Sequence, residues 1–348
     1  MAACTRVQFD RPESDEIRFQ VAGYRSTVQS TKAIDDYKND YAGVPFGAYT
    51  WYKGENPADN AVFMTNQKVS YNSTTNIWSP EGTTFYWPKG GSLDFICYSP
   101  YNSGGVPAIS ENAISYGAWD VSANPDVDLL YADKMTGLTN NSNTYYYTGV
   151  PVLFRHALAK LGFSVQLAYS ELTPTTGDKT KWEVAVNSIT LKDVRQSGSL
   201  SLALDSYGSW ELPAGKVWTS DGTKTDISLD CSGLTLFTDT TPQELGSFLV
   251  LPQTLDQGQS LVLNLTISTW HDNGSGFGST PLIVETSVEV GASLAGIALP
   301  QWGINQCVKY NLILAPSKAD TGNQPSEITF DPAVAEWETV ELNAVINI

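Results

Sequence analysis

Apolar and polar residues alternate one by one along much of this chain. Ile17, Phe19 and Val21, for example, are separated by Arg18 and Gln20. The same alternation runs through residues 199–205, 260–268, 282–290 and 307–315. A period of two is typical of β-strands with one buried face. Helical spacing is scarce, and only residues 154–163 and 240–248 are expected to form a helical turn or two. The pattern therefore predicts an all-β, mainly antiparallel protein of the sandwich kind.

Turn residues and chain length together predict two domains. Glycine-rich clusters such as "PKGGS" and "DNGSGFGS" separate the alternating runs, and 348 residues suggest about two domains. A polar stretch, Thr136–Gly149, divides two alternating halves. We predict an N-terminal segment at 1–15, a first β-sandwich at 16–150 that begins with a strand at 16–22, and a second β-sandwich at 151–348 that ends with a strand at 338–348.

Composition limits the partners of the chain. The net charge is −17, and the basic residues are scattered singly. No basic stripe exists to neutralise phosphates, so neither nucleic acid nor an anionic membrane surface is an expected partner. No apolar run approaches the roughly 18 residues that a membrane span requires. We expect the surplus of acidic residues to keep a surface protein in solution.

Catalytic and metal-binding signatures are missing from the sequence. There is no GxSxG elbow, and "GSGFG" (274–278) lacks the lysine and helix of a phosphate loop, so we interpret it as a hairpin tip. Asp120, Asp126, Asp128 and Asp133 do not have the compact spacing of a calcium loop. No CxxC pair exists, and Cys97 is expected to be a buried thiol. We therefore predict no catalytic residues, no metal and no cofactor.

Cys4 differs from the other three cysteines. It follows two alanines in "MAACTR", which looks like the tail of a lipobox, where the cysteine becomes the lipidated first residue of a lipoprotein. The alternative is a leader remnant without consequence. If Cys4 is lipidated, the chain contacts the outer membrane through the lipid only.

The last strand is apolar on one side. In "WETVELNAVINI" the polar residues Thr339, Glu341, Asn343 and Asn347 alternate with five apolar ones, Val340, Leu342, Ala344, Ile346 and Ile348. One interpretation is a final strand packed into its own domain. The other is a strand that is donated to another molecule, because strand addition to a sheet edge is a known mode of assembly.

The first strand offers the matching half of such an assembly. Ile17, Phe19 and Val21 form one apolar face, and a polar stretch with Arg25 and Lys32 follows. Loops of this kind are preferred sites of proteolysis. If the strand left after a cut at Arg25 or Lys32, two unpaired strand edges would remain for an incoming strand.

Aromatic residues raise a second possibility. Most rings of "TTFYWPKGGSLDFICYSPY" (83–101) are expected in the core or between sheets. Trp270 and Tyr146 lie near predicted loops and are candidates for exposed rings that stack a sugar. A cell-surface lipoprotein that binds a glycan or a protein is therefore the alternative function.

Seven segments in this order resemble the fimbrillin (Mfa-like) family, the subunits of the type V pili of Gram-negative anaerobes. They are the "IRF" strand followed by "TKA", "FYWPKGGSLDFICYSPY", "VDLLYADK", "VPVLFRHALAKLGFSV", "ITLKDVRQSGSLSL", "PQWGINQCVKYNLIL" and "ITFDPAVAEW". The resemblance covers nearly the whole chain.

The resemblance implies two transthyretin-like sandwiches in tandem, export as a lipoprotein through Cys4 and a place in a fimbrium at the cell surface. It further implies cleavage by a trypsin-like protease, with Arg25 the best match and Lys32 the second. Residues 16–22 would be the strand removed. Residues 340–348 of one pilus subunit would replace that strand in the next.

Overall fold

The computed structural model describes residues 16–22, 43–103, 105–140, 149–172, 179–204, 216–236, 241–255, 258–272, 274–292, 301–315 and 338–347. Within these ranges the chain consists of strands and their connections, with one 3-10 helix at Pro57–Asp59. The all-β prediction is confirmed. No helix in these ranges has the length and hydropathy needed to cross a membrane.

Ten strands precede residue 157. They are β1 (Phe19–Ala22), β2 (Phe46–Lys53), β3 (Ala61–Asn72), β4 (Ile77–Pro80), β5 (Ser92–Ser99), β6 (Ala108–Ser110), β7 (Ala113–Asp120), β8 (Leu130–Ala132), β9 (Met135–Leu138) and β10 (Val150–His156).

Thirteen strands follow. They are β11 (Ala159–Leu167), β12 (Glu171–Leu172), β13 (Lys179–Arg195), β14 (Ser197–Ala203), β15 (Lys216–Ser220), β16 (Lys224–Leu236), β17 (Gln243–Val250), β18 (Gln253–Thr254), β19 (Ser260–Asp272), β20 (Leu282–Gly291), β21 (Gln301–Trp302), β22 (Gln306–Ala315) and β23 (Glu338–Asn347). The prediction of two helical turns is wrong, because residues 154–163 and 240–248 contribute to β10, β11 and β17 instead.

Contacts divide the chain into two compact units. One comprises Met1–Gly117, Val127–Ala157 and Leu200–Val217, and the other comprises Ala118–Asp126, Leu158–Ser199 and Trp218–Ile348. The division nearest to the predicted joint at residue 150 falls between Ala157 and Leu158.

The first unit is built around a sheet that closes on itself. Its strand order is β2-β3-β4-β1-β10-β8-β5-β9, and β2 also pairs with β5. Seven of the eight strands therefore form a ring, with β9 attached to β5. The core of this unit draws on each of these strands, and Phe46, Phe95 and Phe154 are among its buried residues.

β5 is buried on both faces over nearly its whole length. Leu93, Phe95 and Cys97 join the core of the ring, and Ile96 and Tyr98 on the opposite face are also inaccessible to solvent. The prediction of a core role for this half of the hairpin is confirmed. Tyr86, which lies before the turn of this hairpin, is exposed.

The second unit contains two sheets that share one hydrophobic core. One has the order β17-β11-β22-β23, and the other has the order β12-β13-β19-β20 with β16 on β13. Alternate residues of β11, β13, β19 and β22 meet in this core, where Phe163 and Tyr310 stack with ring centroids 5.4 Å apart. "GSGFG" lies in the connection between the antiparallel strands β19 and β20, as its interpretation as a hairpin tip predicts.

Candidate assembly site

β1 lies between two strands of the ring in the first unit. It runs parallel to β10, with Phe19 beside Val150 and Val21 beside Val152, and antiparallel to β4, with Phe19 beside Trp78. The backbone N–H of Val150 donates to the carbonyl of Arg18 at 2.7 Å, and that of Ile17 donates to the carbonyl of Phe85 at 2.8 Å. A strand of only four residues therefore closes the gap between β4 and β10.

The side chains of this segment point into the core. Ile17, Phe19 and Val21 are 2%, 1% and 6% exposed. The Phe19 ring contacts Phe46 and Phe95 edge-on, with centroids 5.5 and 5.8 Å away. Edge-to-face rings at this separation stabilise a core beyond the area that they bury. The segment predicted to be displaced therefore supplies three side chains to the core of its unit.

Gly149, immediately before β10, lies close to the backbone of the segment that contains β1. Its φ is +106°, and a Cβ at this position would stand 2.6 Å from the carbonyl oxygen of Arg18. Only glycine combines this backbone conformation with that space. The contact shows that β1 is set against the start of β10 by backbone fit as well as by its apolar side chains.

The predicted donor strand occupies the edge of a sheet in the second unit. β23 pairs in parallel with β22 over ten positions, from Gln306 beside Glu338 to Ala315 beside Asn347. The predicted apolar face is in register with buried positions of β22, because Val340, Leu342, Ala344 and Ile346 stand beside Val308, Tyr310, Leu312 and Leu314. Among the described strands, β22 is its one partner. The sequence left two arrangements open, a last strand packed into its own domain and a strand donated to another molecule. The backbone of the single chain takes the first of these.

Several other predicted site residues lie outside the described part of the chain. They are Cys4, Arg25, Lys32, Tyr146 and Ile348. Their roles in lipidation, cleavage, glycan contact and strand donation stay predictions.

Trp270, the second candidate for glycan contact, is half-buried on β19. The ammonium of Lys181 on β13 lies 5.5 Å from the centroid of its ring. A cation at this distance from an indole face is attracted by the ring. The Lys181 ammonium therefore lies over one of the two ring faces on which a sugar could stack.

Buried charges are the feature that the sequence did not indicate. Arg155 and Asp133, 1% and 2% exposed at their side chains, form a two-pronged ion pair at 2.8 and 2.9 Å. His156 Nδ1 lies 2.7 Å from Asp128 Oδ2. Two of the four acidic residues considered for calcium are therefore engaged by basic side chains. No group of three or more metal-ligating side chains occurs in the described ranges.

The three described cysteines are buried and form no disulfide with one another. Cys97, Cys231 and Cys307 are all buried, which confirms the interpretation of Cys97 as a buried thiol. Burial raises the pKa of Cys97 far above the ordinary value for cysteine. A thiol that resists ionisation is a poor nucleophile and a poor metal ligand.

A fimbrillin-like family model matches residues 31–280 of the chain. No curated protein matches it. Among solved structures, a candidate cell adhesion protein of Bacteroides uniformis is 17% identical, with 80% of this chain and 99% of that chain covered and a TM-score of 0.40. A candidate cell adhesion protein of Bacteroides eggerthii is 9% identical, with coverages of 96% and 100% and a TM-score of 0.46. A fimbrial protein of Bacteroides ovatus is 11% identical, with coverages of 86% and 48% and a TM-score of 0.33.

Proposed function

Because the chain belongs to the fimbrillin-like family, we propose that it is a pilus subunit that polymerises by donor-strand exchange. As a member of this family it is a structural protein of the cell surface and has a fimbrial or adhesive role, not an enzymatic one. The finer proposal is that it is exported as a lipoprotein through Cys4. A trypsin-like protease then cleaves it after Arg25 or Lys32 and so frees the segment that contains β1.

The position of β1 carries this proposal. It is a short segment at the N-terminal end of the described chain, yet it closes the ring between β4 and β10. Removing it would uncover the edges of both strands together with the core positions of Ile17, Phe19 and Val21. Burying three side chains of this size stabilises a fold by roughly 5–8 kcal/mol, which an incoming strand could restore.

The C-terminal strand is long enough for that vacancy and has the same apolar pattern. β23 has ten residues, which span roughly 33 Å when extended, whereas β10 has seven. Four of the described positions, Val340, Leu342, Ala344 and Ile346, repeat the apolar alternation of Ile17, Phe19 and Val21. A strand with one apolar face can fill the emptied core positions with its side chains. Its backbone can pair with the open edges of the two flanking strands.

Donation requires β23 to leave its own sheet, where it pairs with β22 over ten positions. At the edge of its sheet β23 has one described neighbour, β22, whereas the vacancy left by β1 has strands on two sides. Each backbone hydrogen bond gained contributes roughly 0.5–1.5 kcal/mol net of water. The vacancy between β4 and β10 therefore offers β23 two neighbouring strands in place of the one that it leaves.

The experiment is limited digestion of the purified chain with trypsin, followed by electrophoresis without heating. We expect cleavage after Arg25 or Lys32 and a ladder of polymers, and we expect neither in the double variant Arg25→Ala/Lys32→Ala. The variant Leu342→Asp should be cleaved and remain monomeric, because it places a charge on the apolar face. The matched variant Asn343→Asp changes the polar face and should still polymerise. Clean cleavage at either site without polymer in the unmodified chain would contradict the proposal.

A further inference from the structure

Three side chains from separate elements of the first unit meet at the ammonium group of Lys134. Lys134 lies between β8 and β9, Asp94 lies on β5, and Asn112 lies in the turn between β6 and β7. The Lys134 Nζ donates to Asn112 Oδ1 at 2.9 Å and lies 3.5 Å from Asp94 Oδ2. An amine is thus within reach of both a carboxamide and a carboxylate.

The surroundings hold these groups in place. Lys134 and Asp94 are 9% and 7% exposed. The second carboxylate oxygen of Asp94 accepts the backbone N–H of Gly137 at 2.8 Å, and the carbonyl of Asn112 accepts that of Leu204 at 3.0 Å. Asn112 itself is solvent-exposed, so a small product can leave on its side.

We propose that Lys134 and Asn112 become joined by an isopeptide bond, with Asp94 as the proton carrier. The ammonium of Lys134 gives a proton to Asp94 Oδ2, which replaces two buried charges by two neutral groups. The neutral amine then attacks Cγ of Asn112, the atom bonded to the oxygen that it already contacts. Groups held within roughly 3–3.5 Å of each other react far faster than groups free in solution.

The atoms of the step balance without an oxidant or a metal. The new bond joins Lys134 Nζ to Asn112 Cγ, and the bond between Cγ and Nδ2 breaks. The attacking nitrogen loses a second proton to Nδ2, and Asp94 returns the first proton as ammonia leaves, so that the products are an amide and ammonium. A positioned carboxylate that moves protons in this way is a general acid–base catalyst.

The bond would tie the β6–β7 turn to the connection between β8 and β9. These residues are 22 positions apart in sequence. A covalent tie restricts the unfolded chain and stabilises the folded state, as a disulfide does. The cross-link is independent of strand donation, since neither β1 nor β23 takes part.

The test is the intact mass of the purified full chain. We expect a mass lower than that of the sequence by one ammonia molecule. Digestion before aspartate residues should yield a branched peptide that joins residues 94–119 to residues 133–177. Trypsin should fail to cut after Lys134.

Three variants and one control assign the chemistry. Lys134→Arg and Asn112→Ser remove a reactant, and Asp94→Ala keeps both reactants but removes the proton carrier. Each should have the full mass of its own sequence. Lys53→Arg is the matched control, because Lys53 forms an ion pair at 2.5 Å with Glu111 in the same turn, and this variant should still lose ammonia.

Two results would overturn the proposal. One is a full-mass unmodified chain whose aspartate-specific digest contains residues 94–119 and 133–177 only as separate peptides. The other is a loss of ammonia that persists in Lys134→Arg, which would place the reaction elsewhere. If a variant does not fold, the presence or lack of the branched peptide in the unmodified chain still decides the question.

Discussion

Replacing Phe19 by alanine perturbs the segment on which the proposed assembly depends. Phe19 is 1% exposed and sits between the rings of Phe46 and Phe95. Removing the ring leaves a cavity in the core that the ring-shaped sheet encloses. Phe→Ala changes at buried sites cost about 3–5 kcal/mol, and the lost edge-on ring contacts place this one near the upper end.

The assay is hydrogen exchange of the backbone amides of β4 and β10, the two strands that flank β1. Exchange reports the free energy of local opening, so it separates the first unit from the second. We expect the opening free energy to fall by about 4 kcal/mol in Phe19→Ala. The control is Arg18→Ala, which removes a half-exposed ion pair with Glu16 at 3.4 Å and should change the value by less than about 1 kcal/mol. Equal protection in the two variants would refute the view that β1 closes the core of this unit.

Two other predictions concern buried groups. Arg155→Met leaves Asp133 charged and unpaired in the core and should lower the unfolding free energy by about 3–5 kcal/mol. The double variant Arg155→Met/Asp133→Leu should recover most of that loss, as measured by urea titration. If the double variant recovers nothing, the loss does not have a purely ionic cause. Because burial raises the pKa of Cys97, a thiol reagent should label it only after unfolding. The free energy of unfolding should fall as pH rises above about 8.5, where the unfolded thiol ionises and the folded one does not; fast labelling of the folded chain at neutral pH would count against this burial.

Local alternation predicted the strands well because it depends on neighbours in sequence. Leu261, Leu263 and Leu265 of β19 are buried as the pattern indicates, and so are Val308 and Tyr310 of β22. Whether a strand's apolar face is covered depends on the opposite sheet, which alternation does not encode. In β20, Val288 and Val290 are half-buried, whereas Leu282 and Val284 on the same predicted face are exposed.

Pairings between distant segments could not be predicted from these patterns. The parallel pairing of β1 with β10 joins residues more than a hundred positions apart, and so does that of β11 with β22. The buried pair of Arg155 and Asp133 was missed for another reason. Charged residues are ordinarily assigned to the surface, and only a structure shows that two of them neutralise each other inside a core.

The most direct test of donor-strand exchange uses a cleaved subunit and a synthetic strand. A chain truncated before residue 338 is cut with trypsin and mixed with a peptide of residues 338–348, and hydrogen exchange is followed at Val150 and Val152 of β10. We expect these amides to lose protection after the cut and to regain it with the peptide, but not with the same peptide carrying Leu342→Asp. If both peptides leave β10 equally open, or if β10 stays protected when β1 has been removed, the C-terminal strand does not take the place of β1.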